Sequence, residues 1–231
     1  MFRVPKSDPI EDKKFYQNQY REGFTTECPS DQELARLQSV SFKGTEKDYS
    51  AYIEVIRATG LRPNDSILDF GCSWGYGSWQ LSKSGFRVYS YEISKPRAQY
   101  AAEKLHCRLI ASSAELPEKV DCLFSAHVIE HLANPRVLWE MAEIVLKPKG
   151  KVVLFMPNGD PEVEDFGTRR YHQLWGQVHP LLISGNALMN MANAHGFTGR
   201  VYSSPYDATK IQAGVNDGLT GEELLLIAER V

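Results

Sequence analysis

Three groups of residues in this chain have types and spacings that could do chemistry: a glycine-rich turn, carboxylates near strand ends, and a histidine pair. Asp69 follows the apolar Ile67-Leu68, and Phe70-Gly71-Cys72-Ser73-Trp74-Gly75-Tyr76-Gly77 comes next. That order reads as a strand feeding a tight loop at a helix N-terminus, where an α/β protein holds a nucleotide-like ligand. Gly71 and Gly75, flanking Ser73, would let the backbone turn sharply and come closer to a ligand than a Cβ permits. Free N–H groups at the start of the following helix then favour an anionic group. Asp69 could hold a ligand amino group or brace the loop, and spacing alone does not separate the two roles.

Glu92 stands 23 positions after Asp69, at the end of a second apolar run. A carboxylate there can accept both hydroxyls of a ribose lying across the first loop. Ile93 beside it, and Ala126 at the end of a later strand, are further ligand-facing positions. Ser113-Ala114-Glu115 follows a third strand, where an adenine ring would lie. The Ala114 N–H could meet a ring nitrogen there, and Ser113 Oγ could accept from the amino group.

His127-Val128-Ile129-Glu130-His131 matches a zinc-hydrolase pattern when it lies on a helix. Here it directly follows the apolar run ending Phe124-Ser125-Ala126, so His127 is expected at a strand rim, and spacing offers no third ligand. No metal is expected. His179, with His172, Tyr171 and Trp175, lies in a stretch of residues 157–183 without clear periodicity. Ligand sites of open α/β sheets form at the carboxyl ends of strands. His127 and His179 could therefore share a pocket, and either could take a proton from a substrate. His106 and His195 fall at helix ends and read as structural.

The elements that must position these groups alternate. Strands are expected at 66–70, 87–91, 108–111, 121–126 and 151–156, with helices at about 76–84, from 95, and at 134–146. This is the pattern of a mostly parallel sheet covered on both faces. A helix at 46–59, with Thr45 and Asp48 at capping-box spacing, precedes them. A helix at 186–194 and strands near 200–203 and 223–230 follow. Residues 1–45 read as an N-terminal arm or lid, and 46–231 as a single domain with an acceptor-site insertion at about 157–183.

Bulk properties remove some function classes. The formal net charge is −3 and the pI about 6.1, without the basic stripe that a nucleic-acid partner requires. Four cysteines show no C-x-x-C spacing and read as free thiols. No run approaches the ~20 apolar residues of a membrane span, so a soluble, cytoplasmic protein is expected. Oligomeric state is not readable.

Together the motifs resemble those of class I S-adenosylmethionine-dependent methyltransferases, in the broad branch that includes the ubiquinone-biosynthesis O-methyltransferases. The resemblance runs from about Ile53 to Gly196. It rests on Leu-Asp-Phe-Gly-Cys-Ser-Trp-Gly at 68–75, on Glu92, and on Ser-Ala-Glu-Leu-Pro at 113–117. His-Val-Ile-Glu-His-Leu at 127–132 and Leu-Lys-Pro-Lys-Gly-Lys at 146–151 complete it.

It implies a Rossmann-like α/β fold, with a seven-stranded, mostly parallel sheet whose last strand is antiparallel and helices on both faces. It further implies S-adenosyl-L-methionine as cofactor: its methionine part on the first-loop backbone, its ribose on Glu92 and its adenine near 113–115. The acceptor would be a small molecule or saccharide, methylated at a hydroxyl with His127 or His179 as base. Ser73 departs from the family's middle glycine, and Ser113 from its usual aspartate. Ser73 also breaks the G-x-G-x-x-G of a dinucleotide oxidoreductase, the main alternative, beside a non-catalytic cofactor-binding module.

Overall fold

The computed structural model describes residues 27–160 and 181–231. In chain order the elements are α1 (Asp31–Ser39), α2 (Ser50–Ala58), β1 (Ser66–Phe70), α3 (Tyr76–Lys83), β2 (Arg87–Tyr91) and α4 (Lys95–Leu105). They continue with β3 (Val120–Ala126), α5 (Arg136–Val145), β4 (Leu146–Pro157), α6 (Gly185–Ala194), β5 (Phe197–Ser203), α7 (Ala208–Ala213) and β6 (Glu223–Arg230). Single 3-10 turns occupy Ser113–Glu115 and Ile129–His131.

Six strands form one sheet in the order β2-β1-β3-β4-β6-β5. β2, β1, β3 and β4 are mutually parallel, and β6 runs antiparallel to β4 and β5. The expected seventh strand is reduced to one parallel bridge between Ser90 and Leu109. Ser90 N donates to Arg108 O and Ile110 N to Ser90 O, both at 2.9 Å. The chain then leaves the edge, because the Glu115 carboxylate takes the next N–H, that of Ala111. The antiparallel last strand stands as expected; the described residues form six strands.

Side chains alternate across the sheet as strand geometry requires. Leu68, Leu123, Val152 and Leu154 face a layer with Leu138 and Trp139 of α5. Ile67, Phe124, Val153 and Phe155 face Ile53 and Ile56 of α2. A third cluster joins Leu34 and Leu37 of α1 to Phe42, Trp74 and Leu105. The N-terminal helix therefore stands on the residue in the middle of the glycine-rich loop.

Two boundaries moved. The capping box expected at Thr45 and Asp48 does not start α2. Asp48 instead accepts from Gly44 N and Ser50 N, both at 2.8 Å, and the helix starts at Ser50 with Tyr49 as its N-cap, four residues later than expected. The turn expected at 147–150 lies inside β4, as an irregularity where Val120 pairs with Leu146 and Cys122 with Lys151. Lys147 Nζ bonds both oxygens of Asp121 at 2.9 Å across it. Among the described residues, no helix is long and apolar enough to cross a membrane.

Candidate active site

The loop after β1 is pinned to β2. Gly71 N and Cys72 N both donate to Tyr91 O, at 2.8 and 3.1 Å. Gly71, Ser73 and Gly75 all have positive φ, at 84°, 53° and 91°. The glycines are needed for a reason other than ligand approach. A Cβ on Gly71 would lie 2.4 Å from Val128 Cγ2, and one on Gly75 would lie 2.7 Å from Cys107 Sγ and 2.8 Å from Ala101 Cβ. The neighbours that exclude a side chain are the protein's own.

Gly75→Ala therefore combines left-handed strain with a clash against α4, a loss of about 2–4 kcal/mol. For a chain of this size, calorimetry should show Tm falling by roughly 5–12 °C. Gly60→Ala, at φ 92° with open space around it, isolates the strain and should fall less.

Ser73 adopts the left-handed backbone without being glycine. Its N–H donates to Glu92 Oε2 at 2.9 Å, and Ser94 N donates to Oε1 at 2.7 Å. Burial pushes the Glu92 carboxyl up, while the Ser94 N–H, the Arg97 charge and the Ser73 N–H oppose it. Ser73 Oγ is buried without a hydrogen-bond partner. Ile93, directly after Glu92, is 42% exposed.

Asp69 is buried, and its Oδ2 accepts from Ser78 Oγ at 2.6 Å; Ser78 Oγ in turn accepts from Ser90 Oγ at 2.8 Å. Burial raises the Asp69 carboxyl to about 7, against the Ser78 hydrogen bond and with help from the Glu92 charge. Of the two roles expected of Asp69, bracing β1 against α3 is visible in its bond to Ser78.

The bridge at Leu109 brings the segment entering Ser113–Glu115 beside the end of β2. Ala114 is exposed on that 3-10 turn and Ser113 half-buried. The Glu115 carboxylate is turned back onto Ala111 N.

The carboxyl ends of β3 and β4 hold a cluster that sequence reasoning met only in part. His127 follows β3 at φ 54°, its N–H donating to Phe155 O at 2.8 Å. Its ring Nε2 lies 2.6 Å from Glu223 Oε1, and Nδ1 lies 3.5 Å from Glu130 Oε1. Tyr52 Oη and Tyr206 Oη each donate to Glu223, at 2.6 Å to Oε1 and Oε2 respectively. Glu223 reaches this place because β6 runs backwards: it pairs with Pro157, at the carboxyl end of β4. Glu130, on the 3-10 turn, is 3% exposed. Ala126, half-buried at the β3 rim, borders the cluster.

Burial works against a charged His127, yet the Glu130 carboxylate 3.5 Å away, the hydrogen bond to Glu223 and the charges of both acids outweigh it and raise the imidazole to about 10. Burial raises both carboxyls as well, but the bonds and charge of His127 hold them below their ordinary values. His127 is thus an imidazolium at neutral pH. A ring carrying both protons has no lone pair to offer, so a base role for His127 requires that it first pass a proton to a neighbouring carboxylate. His179, with Tyr171, His172 and Trp175, lies outside the described residues, as does most of the expected insertion.

Tyr52, Tyr206 and Glu223 were missed. They come from α2, the approach to α7 and the start of β6, and no local motif links them. Glu130 lay within the His127–His131 motif, but its partner could not be read from spacing.

A model of the methyltransferase domain matches residues 43–200, more than half of the chain. An uncharacterized 37.1 kDa protein in transposon TN4556 of Streptomyces fradiae is 25% identical over 159 residues, which cover 58% of this chain. The match takes in 46% of that relative, so the chain spans less than half the length of the curated protein it matches.

Among solved structures, the plantazolicin methyltransferase BpumL, complexed with a triazolic desmethylPZN analog and SAH, aligns with TM-score 0.60 at 13% identity. That alignment covers 87% of this chain and 92% of that one. Magnesium protoporphyrin IX methyltransferase from Synechocystis PCC 6803, with bound SAH, aligns at 0.58 and 15% identity, over 97% and 100%. A SAM-dependent methyltransferase from Aquifex aeolicus aligns at 0.57 and 16% identity, over 85% and 98%. At such identities these structures speak for the fold, and the family follows from the domain match. The chain belongs to the methyltransferase-domain family of class I, whose cofactor is S-adenosylmethionine.

Proposed function

We propose that this chain transfers a methyl group from S-adenosylmethionine to a hydroxyl of a small molecule or sugar. The residues present fit that cofactor. Glu92 ends β2 with its carboxylate half-buried and held by two backbone N–H groups. Ser73 Oγ in the adjoining loop is a buried polar atom lacking a partner. In this reading the backbone of Gly71, Ser73 and Gly75 faces the methionine part, and Glu92 takes the ribose. Ile93 covers one face of the adenine, Ser113, Ala114 and Glu115 border its edge, and Ala126 lines the floor. When bound, S-adenosylmethionine supplies an electrophilic methyl group on a sulfonium sulfur.

The observation that carries the acceptor reading is the Tyr52–Glu223–Tyr206 arrangement beside His127. Each tyrosine hydroxyl spends its proton on Glu223, so the Tyr206 oxygen presents lone pairs, as does the Tyr52 oxygen beyond its 3.2 Å contact with His127 Nε2. A group that donates a hydrogen bond, as a hydroxyl does, matches that surface. The acceptor's proton passes to a tyrosine oxygen as that tyrosine hands its own to Glu223, while the His127 imidazolium steadies the carboxylate. Holding the acceptor in line supplies several kcal/mol of the barrier, on the order of 7–11 in the best intramolecular cases.

A pH profile tests the assignment. A neutral histidine base would make turnover climb through about pH 6.5, the ordinary histidine value. With His127 raised to about 10, turnover should be level from pH 6 to 8 and fall only as pH nears 10. The stability linkage has the same sign. The folded pKa exceeds the unfolded one, so the contribution is complete below the unfolded value and is lost as pH rises through the folded one. Isotope-labelled methyl donor incubated with a host metabolite extract would identify the acceptor. A labelled amine or carbon product in place of a methyl ether would reject the hydroxyl assignment.

A further inference from the structure

Lys47 has no place in the chemistry described so far. Its Nζ is buried and makes no hydrogen bond among the described residues. It stands over the ring of Tyr76, 5.4 Å from the centroid. Of the two acids beside it in the chain, Asp48 is taken up by Gly44 N and Ser50 N, and the other, Glu46, is exposed. Burial lowers the Lys47 pKa, and that acid only partly offsets the effect. An ammonium removed from water without a counter-charge is costly, and a ring face offsets only part of that cost.

The backbone at Lys47 is fixed against the loop that opens α3. Gln80 Nε2 donates to Lys47 O at 2.8 Å and to Tyr76 O at 3.0 Å, while Gln80 Oε1 accepts from Tyr49 N at 2.9 Å. One glutamine therefore ties the segment before α2 to the first turn of α3. That turn begins at Gly75 with no side-chain cap. Two unmet demands for negative charge meet there, the Lys47 ammonium over Tyr76 and the helix start without a side-chain cap; Ser73, whose buried hydroxyl has no partner among the described residues, lies two residues before Gly75.

We propose that Lys47 is the counter-charge for the carboxylate of the cofactor's amino-acid tail. The inference rests on the cofactor reading above. It makes Lys47 a binding residue that discriminates between ligands with and without that carboxylate.

Calorimetric titration of the full chain with S-adenosylhomocysteine and with methylthioadenosine tests it. The second probe keeps the nucleoside and the sulfur but lacks the amino-acid tail. Lys47→Met should weaken S-adenosylhomocysteine roughly ten- to a hundredfold, the range for a hydrogen bond to a charged group. It should leave methylthioadenosine within about twofold of the unmodified protein, since that ligand makes no contact with the removed group. Lys47→Arg, which keeps the charge, should recover much of the discrimination.

Removing an unpaired buried charge does not threaten folding, and an unchanged melting profile would document that. If the unmodified protein bound S-adenosylhomocysteine and Lys47→Met left the ratio of the two affinities unaltered, the Lys47 assignment alone would be overturned. If the unmodified protein bound neither probe, the cofactor reading would fall and take this one with it.

Discussion

Glu92→Ala is expected to remove measurable cofactor binding. The carboxylate accepts from Ser73 N at 2.9 Å and Ser94 N at 2.7 Å, so it both shapes the loop and, in our proposal, receives the ribose hydroxyls. Each hydrogen bond to a charged group contributes about 1.5–3 kcal/mol. Losing two toward the ligand amounts to roughly 3–6 kcal/mol, or about 10²–10⁴-fold in Kd. Alanine also strands the two N–H groups, so Tm should drop with the affinity. Glu92→Gln keeps an acceptor oxygen and should retain part of both. Calorimetry with S-adenosylhomocysteine gives the answer, and a Kd for Glu92→Ala within about threefold of the parent would refute the ribose role.

The second large effect is expected at Glu223, and it should fall on turnover alone. Glu223→Ala removes the group to which Tyr52, Tyr206 and His127 all donate. The tyrosine hydroxyls lose their orientation, and the acceptor's proton loses its destination. General acid–base groups contribute about 10²–10⁴-fold, so kcat should fall by that order while the Kd for S-adenosylhomocysteine holds.

His127→Ala should differ in kind. It leaves Glu130, which is 4% exposed at the side chain, and Glu223 without their shared cation. Because the imidazole itself is 46% exposed, the stability loss is discounted to about 1–3 kcal/mol. Parallel kinetics, titration and melting of the two variants separate a proton path from a structural hub. Loss of cofactor affinity in Glu223→Ala would contradict the division of the site into two halves.

The half of the site near Glu92 was legible because its signals are local. A strand ending in Asp69, a turn with glycines at 71 and 75, and an acid at the next strand end all lie within a short stretch of chain. The acceptor half was not legible, because register assembles it. Glu223 meets His127 only because β6 is inserted antiparallel beside β4, with Pro157 opposite Glu223. Nothing near residue 223 announces that partner.

The histidine motif marked the place of the cluster but not the partners that set its protonation. A proton's affinity for an imidazole depends on the carboxylates that surround it, and one of these lies 96 residues away. The helix expected from Glu46 begins instead at Ser50, whose N–H donates to Asp48 Oδ1, a bond that capping-box spacing does not announce.

The indole at position 74 carries an optical consequence. It is sealed under Phe42 and against Tyr76 and Tyr100, so its emission senses whether the first helix is seated. Filling the ligand cleft need not alter that signal at all, whereas prising the helix away would shift it to the red. A fluorophore that looks like a ligand sensor from its place in the loop is, by its surroundings, a latch indicator.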